Sequence, residues 1–327
     1  MQVPISAEKP FTAAVKGSGV KSGIVGWAYM VKADFKKHWP LYVMLLPVIV
    51  FYIVWMYMPM YGIQVAFRDF RPRLGISGSP WVGLDNFSAF FGSVFAWRVI
   101  RNTFLLSFYN MFWAFPIPII FALLLNEVRN MAFKRSVQTI TYMPFFISLV
   151  VACGIFLDFS TTNGVFGEVQ RMMGRDPVNL FTVPALFRTM FNITDVWQGF
   201  GFGSIIYLAA LSAVNPELYE AAKIDGANRL RQIWHVSLPG ILPTITILLV
   251  LRIGGLMTVS FERVLLLQNG FTMEVSDVVQ TFVVRRGLLD FNFGIAAAVG
   301  LFNSVINFGF LLSANKFANK VTGTGLW

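Results

Sequence analysis

An all-α integral membrane protein with six transmembrane helices is the fold class this sequence predicts, and three observations predict it. Hydrophobic residues make up 56% and charged residues 13% of the 327, with a mean hydropathy of +0.64, beyond what a soluble domain carries. Six apolar segments are each near the roughly 20 residues that a helix needs to cross a hydrocarbon core. The net charge of +10 sits mostly in the N-terminal tail and in short loops flanking those segments, as the positive-inside rule expects of topology rather than of a nucleic-acid partner.

From the N-terminus, residues 1–40 form a basic tail with Lys9, Lys16, Lys21, Lys32, Lys36 and Lys37 against Glu8 and Asp34. The tail lacks the short apolar core and cleavage site of a secretory signal, so it is expected in the cytoplasm. The first span is placed at Leu41 to Tyr61 and shares the segment 41–96 with an outer loop. That loop carries Arg68, Arg71, Arg73 and Arg98 against Asp69 and Asp85, more basic than the rule favours. Residues 97–317 hold the remaining spans, at Val99 to Leu125, Ser136 to Phe159, Trp197 to Val214, Leu242 to Leu266 and Phe293 to Ala314. An inner loop with Arg129, Lys134 and Arg135 precedes the third span. A long, charge-balanced outer loop with Arg171, Arg175, Arg188, Asp158, Glu168, Asp176 and Asp195 follows it. Residues 318–327 form a cytoplasmic C-terminal tail. Six spans return both termini to the cytoplasm, with tryptophans such as Trp39, Trp81 and Trp234 as interfacial anchors.

The polar stretch 215–243 separates two strongly apolar segments. Asn215 caps, Pro216 takes the first helical position and Glu217 faces the positive helix end, so a short helix is expected from Pro216 to about Ile224. Asp225-Gly226 stops it. A second helix is expected from near Asn228 to Val236, with Leu238-Pro239 and Pro243 turning the chain into the fifth span. The spacing of Glu220-Ala221-Ala222, three residues, Gly226, nine residues, then Val236, Ser237 and Leu238-Pro239 resembles the EAA loop of permease subunits in binding-protein-dependent ABC importers. Val236 stands where the family usually has Ile. Pro59-Met60-Tyr61-Gly62, residues 81–87 (WVGLDNF), Asn102-Thr103, residues 285–288 (RRGL) and Gly325-Leu326-Trp327 resemble the polysaccharide-type branch of carbohydrate permeases, and within it the subunits of alginate importers.

The resemblance implies the type I ABC importer permease architecture in a bacterial cytoplasmic (inner) membrane, with a cytoplasmic EAA coupling loop. In it Glu220, Ala221, Ala222, Asp225, Gly226, Ala227, Leu238 and Pro239 meet or shape the contact with an ATPase. It also implies a second permease subunit, expected to be a different chain, two ATP-binding subunits that carry ATP and Mg, an extracytoplasmic solute-binding protein and a carbohydrate substrate, expected to be an oligo- or polysaccharide. No cofactor or metal is expected on this chain, which has no phosphate-cradling Gly-x-x-x-x-Gly-Lys-Ser/Thr segment and a single cysteine, Cys153.

No catalytic set stands at suggestive spacing, so the chain is expected to be a transport subunit and not an enzyme. A secondary transporter would show an internal repeat and mid-span carboxylates, neither of which the sequence displays. A membrane enzyme acting on a lipid-linked sugar would need an acid, base or metal site at the membrane surface. Both leave the loop spacing unexplained. Candidate substrate-path residues are polar positions within spans, where a charge is costly. Arg252 either faces the pathway or holds spans together; Asn303 and Asn307 share one face of the sixth span, and Asn110 and Trp113 mark a face of the second. Helix-to-helix hydrogen bonding is the alternative for each asparagine.

Overall fold

The structure, a computed structural model, describes residues 24–326; Lys9, Lys16, Lys21 and Trp327 lie outside the described residues, as do the side chains of Trp27, Lys32 and Lys36. The chain divides into two compact units, 1–62 and 63–327.

In the first unit, α1 (Ile24–Phe51) continues through a π-helical stretch at Tyr52–Tyr57. It kinks at His38, just ahead of Pro40, whose ring and missing N–H disrupt the preceding turn. Asp34 accepts from the Tyr42 hydroxyl at 2.7 Å and pairs with His38 at 2.9 Å, and these two bonds, Tyr42's first, hold its carboxyl below the usual carboxylate range.

The second unit is helical throughout its described length apart from short connections and one isolated bridge between Arg68 and Trp81. Its helices are α2 (Asp85–Phe91), α3 (Ala96–Asn126), α4 (Met131–Phe146), α5 (Leu149–Phe159), α6 (Val165–Met172) and α7 (Pro184–Ser212). They continue with α8 (Pro216–Ile224), α9 (Arg229–Gly254), α10 (Phe261–Leu267), α11 (Val279–Val284) and α12 (Phe293–Thr322). Four helices across the chain are long and apolar enough to cross a membrane, Lys37–Phe67, α3, α9 and α12, and two bent pairs raise the number to six.

Several boundaries differ from the sequence expectation. The third span is not one helix: α4 and α5 meet at 99°, because Ile147 is extended and Ser148 starts a new helix, its hydroxyl accepting from Val151 N. The fourth begins at Pro184, thirteen residues before Trp197. Its buried positions Phe187, Met190, Phe191, Thr194, Gln198 and Gly201 follow helical spacing throughout. Arg188 and Asp195 therefore belong to a packed helix and not to an outer loop. The fifth span starts at Arg229 and stops at Gly254, so Leu238 and Pro239 lie inside a continuous helix instead of forming a re-entry turn. A π-helical stretch at Ile233–Ser237 precedes them. The sixth runs on to Thr322, beyond Ala314, and takes in the first residues of the expected C-terminal tail.

Two close approaches fix the bundle. A Cβ at Gly201 would overlap the Thr141 carbonyl, so glycine there lets α7 lie against α4. A Cβ at Gly254 would meet Leu311, where α9 crosses α12. Val250 packs with Ala314 and Ala318, and Val99, Phe282 and Val299 join α3, α11 and α12.

Candidate functional site

Where α9 stops, residues 255–260 have no regular structure, and irregular backbone at membrane depth must find partners other than lipid. Asn307 of α12 supplies them: its Oδ1 accepts from Met257 N at 2.8 Å and its Nδ2 donates to Thr258 Oγ1 at 2.9 Å. Gln280 Nε2 donates to the Met257 carbonyl at 2.9 Å. Asn303, one turn earlier, is buried and its Oδ1 has no partner among the described residues. Neither asparagine lines the cavity described next.

The break opens a cavity of about 310 Å³ between α3, α7 and α9, lined by Ser107, Asn110, Asp195, Arg252, Thr258 and Ser260 among apolar neighbours. Arg252, exposed near the end of α9, donates through Nη2 to Asn110 Oδ1 of α3. Asn110 Nδ2 donates to Asp195 Oδ2 at 2.8 Å, and Asp195 Oδ1 pairs with Arg263 Nη2 at 3.1 Å. Arg263, with 7% of its side chain exposed, also donates to Gln198 Oε1 at 3.0 Å, and Gln198 Nε2 donates to the Ile147 carbonyl left open by the α4–α5 bend. One chain of polar contacts thus runs from α9 through α3 and α7 to the bend.

The structure brings together Asn110 and Arg252, as two faces of one cavity, and adds Asp195 and Arg263. The expectation that no carboxylate stands at mid-span is corrected: Asp195 sits in the middle of α7. Trp113 is instead in an adjoining, more apolar cavity of about 400 Å³ with Tyr109, Asn192, Trp197 and Phe200. A third cavity, about 470 Å³, shares Asp195 and Arg252 and opens along α7 at Gly199 and Gly203. Among the described residues Arg252, on the wall of this space, is hydrogen-bonded only to the neutral amide of Asn110, while the Asp195 carboxylate that also lines it is paired with the enclosed Arg263. Among the described residues no group of three His, Cys, Asp or Glu side chains gathers as a metal would require.

At the far end of the bundle, α8 is capped by Asn215, whose side chain accepts from Glu217 N. The Ala227 N–H donates to the Ala222 carbonyl at 2.8 Å and the Gly226 N–H to the Lys223 carbonyl at 3.1 Å, with Gly226 at φ +74°. This pair of bonds around a left-handed glycine is a Schellman stop. It sends the chain back into α9, where Tyr219 OH meets Ser237 Oγ at 3.0 Å. Arg229 pairs with Glu127 at 2.6 Å, tying this hairpin to the end of α3. Glu220, Ala221 and Asp225 are exposed, as is 87% of Ile224. Leu238 is half-buried and Pro239 exposed.

A helical bundle with a polar cavity at a broken span and an exposed polar hairpin at one end is the form of a membrane permease. Residues 88–323 match the family described as the binding-protein-dependent transport system inner membrane component. The chain belongs to that family, and so is a multi-pass inner-membrane permease subunit of an ABC importer, a transport component and not an enzyme. It is 37% identical to protein LplB of Bacillus subtilis over 99% of both chains. It is 40% identical to the polygalacturonan/rhamnogalacturonan transport system permease protein YteP of Bacillus subtilis, over 88% of this chain and 90% of that one. It also superposes on a chain of a bacterial ABC transporter involved in the import of the acidic polysaccharide alginate, with a TM-score of 0.83 and 39% identity over 90% of this chain and 99% of that one.

Proposed function

We propose that the subunit passes an oligosaccharide bearing carboxylates through the cavity at the α9 break, in partnership with a second permease chain. The observation that carries this is Arg252: a guanidinium on the cavity wall, bonded among the described residues only to the neutral amide of Asn110, keeps donors open for a carboxylate or ring hydroxyls. Asp195 offers an acceptor for hydroxyls beside it. The acidic polysaccharides in the names of YteP and of the superposed transporter support the same cargo. Trp113 stands beside this route; Asn307 acts on it by holding the break from α12, and Asn303, one turn earlier on the same face, is proposed as a buried polar neighbour of that contact.

The hairpin within 215–243 is the coupling element of this proposal. Glu220, Ala221, Ala222 and Asp225 meet one of two ATP-binding subunits, which carry ATP and Mg, while Gly226 and Ala227 shape the turn. Leu238 and Pro239, within α9, carry the motion inward. Ile224 supports this, because an apolar side chain so exposed on a polar hairpin fits a covered protein surface. Both termini then face the cytoplasm, the basic tail 1–40 included, and an extracytoplasmic binding protein delivers the sugar at the opposite end. In this reading 41–96 is the first span with its outer loop, 97–317 the transmembrane core and 318–327 the cytoplasmic C-terminal tail, whose first residues 318–322 are helix.

The test is uptake by the full importer, with its binding protein, in proteoliposomes. Arg252→Gln keeps hydrogen bonding but not charge, and we expect uptake of oligouronates to fall on the order of tenfold, the size of one charge-assisted hydrogen bond, with assembly intact. Wild-type uptake by Arg252→Gln, or a wild-type importer that moves no oligouronate, would overturn the proposal.

A further inference from the structure

A second group of arginines stands at the other end of α3 and α7, away from the cavity. Asp277, fully buried, takes Arg98 Nη2 at 3.2 Å and Arg285 Nη2 at 2.7 Å. Asn102, also buried, donates to the carbonyls of Glu274 at 2.7 Å and Asp277 at 3.2 Å, fastening the segment before α11 to α3. Arg188 of α7 reaches the other side of Asn102, Nη2 to Oδ1 at 3.4 Å, and its Nε is buried without a partner among the described residues. Next to Asn102 in the chain, Arg101 is exposed and makes no hydrogen bond or ion pair among the described residues. Because Arg188 bonds the residue that follows Arg101 in α3, the two arginines belong to the same corner of the α3–α7 packing.

The group is therefore overcharged. Two guanidiniums, Arg98 and Arg285, hold the one buried carboxylate, two more, Arg101 and Arg188, stand at or beside Asn102, and Glu274, exposed on the same segment, forms no ion pair among the described residues. Arg98 and Arg285 are committed to Asp277, which leaves Arg101 and Arg188 as a pair with like charges and open donors. Two such groups held close by unrelated packing lose stability unless an anion sits between them. A planar carboxylate matches the guanidinium fork in shape and charge.

This end is opposite to the hairpin. Glu127, at the far end of α3 from Arg101, pairs with Arg229, and Ser212 at the far end of α7 from Arg188 leads into α8. In the orientation proposed above, the pair lies at the end where a delivered solute would enter.

We propose that Arg101 and Arg188 form an entry site for a sugar carboxylate at the outer mouth of the subunit, upstream of the Arg252 cavity. This rests on the carboxylate-bearing cargo proposed above. One residue of the cargo docks between the two guanidiniums and relieves their repulsion before the chain moves inward. Neither residue contributes to the Asp195 network, so the site is separable from the cavity.

The experiment uses the complete importer in proteoliposomes with its binding protein and a defined oligouronate. Arg101→Gln and Arg188→Gln should each raise the uptake KM on the order of tenfold with little change in maximal rate, and Arg101→Lys should restore most of it. In Arg101→Lys, a carbodiimide should couple the labelled oligouronate to the new amine as an amide. Three results would overturn the site: unchanged KM in both Gln variants, weaker docking of the sugar-free binding protein, or carbodiimide coupling of the binding protein in place of the sugar. The last two would assign the arginines to a protein carboxylate. A wild-type importer that takes up no oligouronate would instead remove the cargo proposal itself, and the entry site with it.

Discussion

Asp195 accepts from Asn110 on one oxygen and from Arg263 on the other, and Arg263 is nearly enclosed by the protein. Removing one member of such a pair leaves a buried charge uncompensated, at a cost of about 3–5 kcal/mol, while replacing both with apolar groups of similar size is often neutral. Asp195→Asn should therefore lower the melting temperature of the purified complex sharply, and Asp195→Leu combined with Arg263→Met should recover much of it. A stable Asp195→Asn complex would show that Arg263 finds another counter-charge. Asn307→Leu tests a different residue-scale claim. It strips partners from Met257 N and Thr258 Oγ1 at the helix break, which should cost about 1–3 kcal/mol and show as a lower melting temperature and lost transport together. Loss of transport at wild-type stability would mean that Asn307 touches the cargo instead.

At the scale of elements, hydropathy and periodicity told different parts of the fold. Hydropathy located the apolar helices, because lipid demands long uncharged runs, and cap chemistry placed α8 to the residue through Asn215, Pro216 and Gly226. It misplaced the start of α7, where Arg188, Asn192 and Asp195 lower the average although the buried positions from Phe187 to Gly201 keep helical spacing. Following that spacing from Pro184 would have brought Asp195 inside the bundle. The stop of α9 was hidden similarly, since residues 255–267 remain apolar after the helix ends at Gly254-Gly255. Arg252 and Asn110 were legible as costly polar groups in apolar helices; that they meet was not, as they are 142 residues apart. Two glycines test the elements. Gly201→Val should push α7 from α4 and reduce the amount of folded protein in the membrane. Gly226→Val should misplace the hairpin, because a β-branched residue resists positive φ, leaving the bundle folded but abolishing substrate-stimulated ATP hydrolysis in the complex. Normal stimulation by Gly226→Val would reduce the hairpin to an interfacial helix.

Across the second unit, contacts sort into two ends. The Glu127–Arg229 pair, the Schellman turn and the start of α9 share one; the arginines around Asp277, the turn at Ser160 bonded to Leu180 N, and Asn269 bonded to the Phe181 carbonyl share the other. α12 runs against α9, with Val250 beside Ala314 and Ala318, so its last turn points the way of the hairpin. The basic residues Arg129, Lys134 and Arg135 cluster near the hairpin end, which the positive-inside rule assigns to the cytoplasm. The Asp277 end is also rich in arginine, with Arg98 and Arg285 paired to a buried carboxylate, so labelling has to decide between the two ends. Cys153, the one native thiol, is buried, and Cys153→Ser gives a background for labelling. Thr162, exposed just after the turn at Ser160, and Asn228, exposed beside the hairpin turn, mark the two ends. In intact cells an impermeant thiol reagent should label Thr162→Cys and spare Asn228→Cys, and after membrane disruption both should react. Labelling of Asn228→Cys alone in intact cells would invert the protein, place the hairpin outside the reach of any ATPase, and remove both the coupling proposal and the outer position of Arg101 and Arg188.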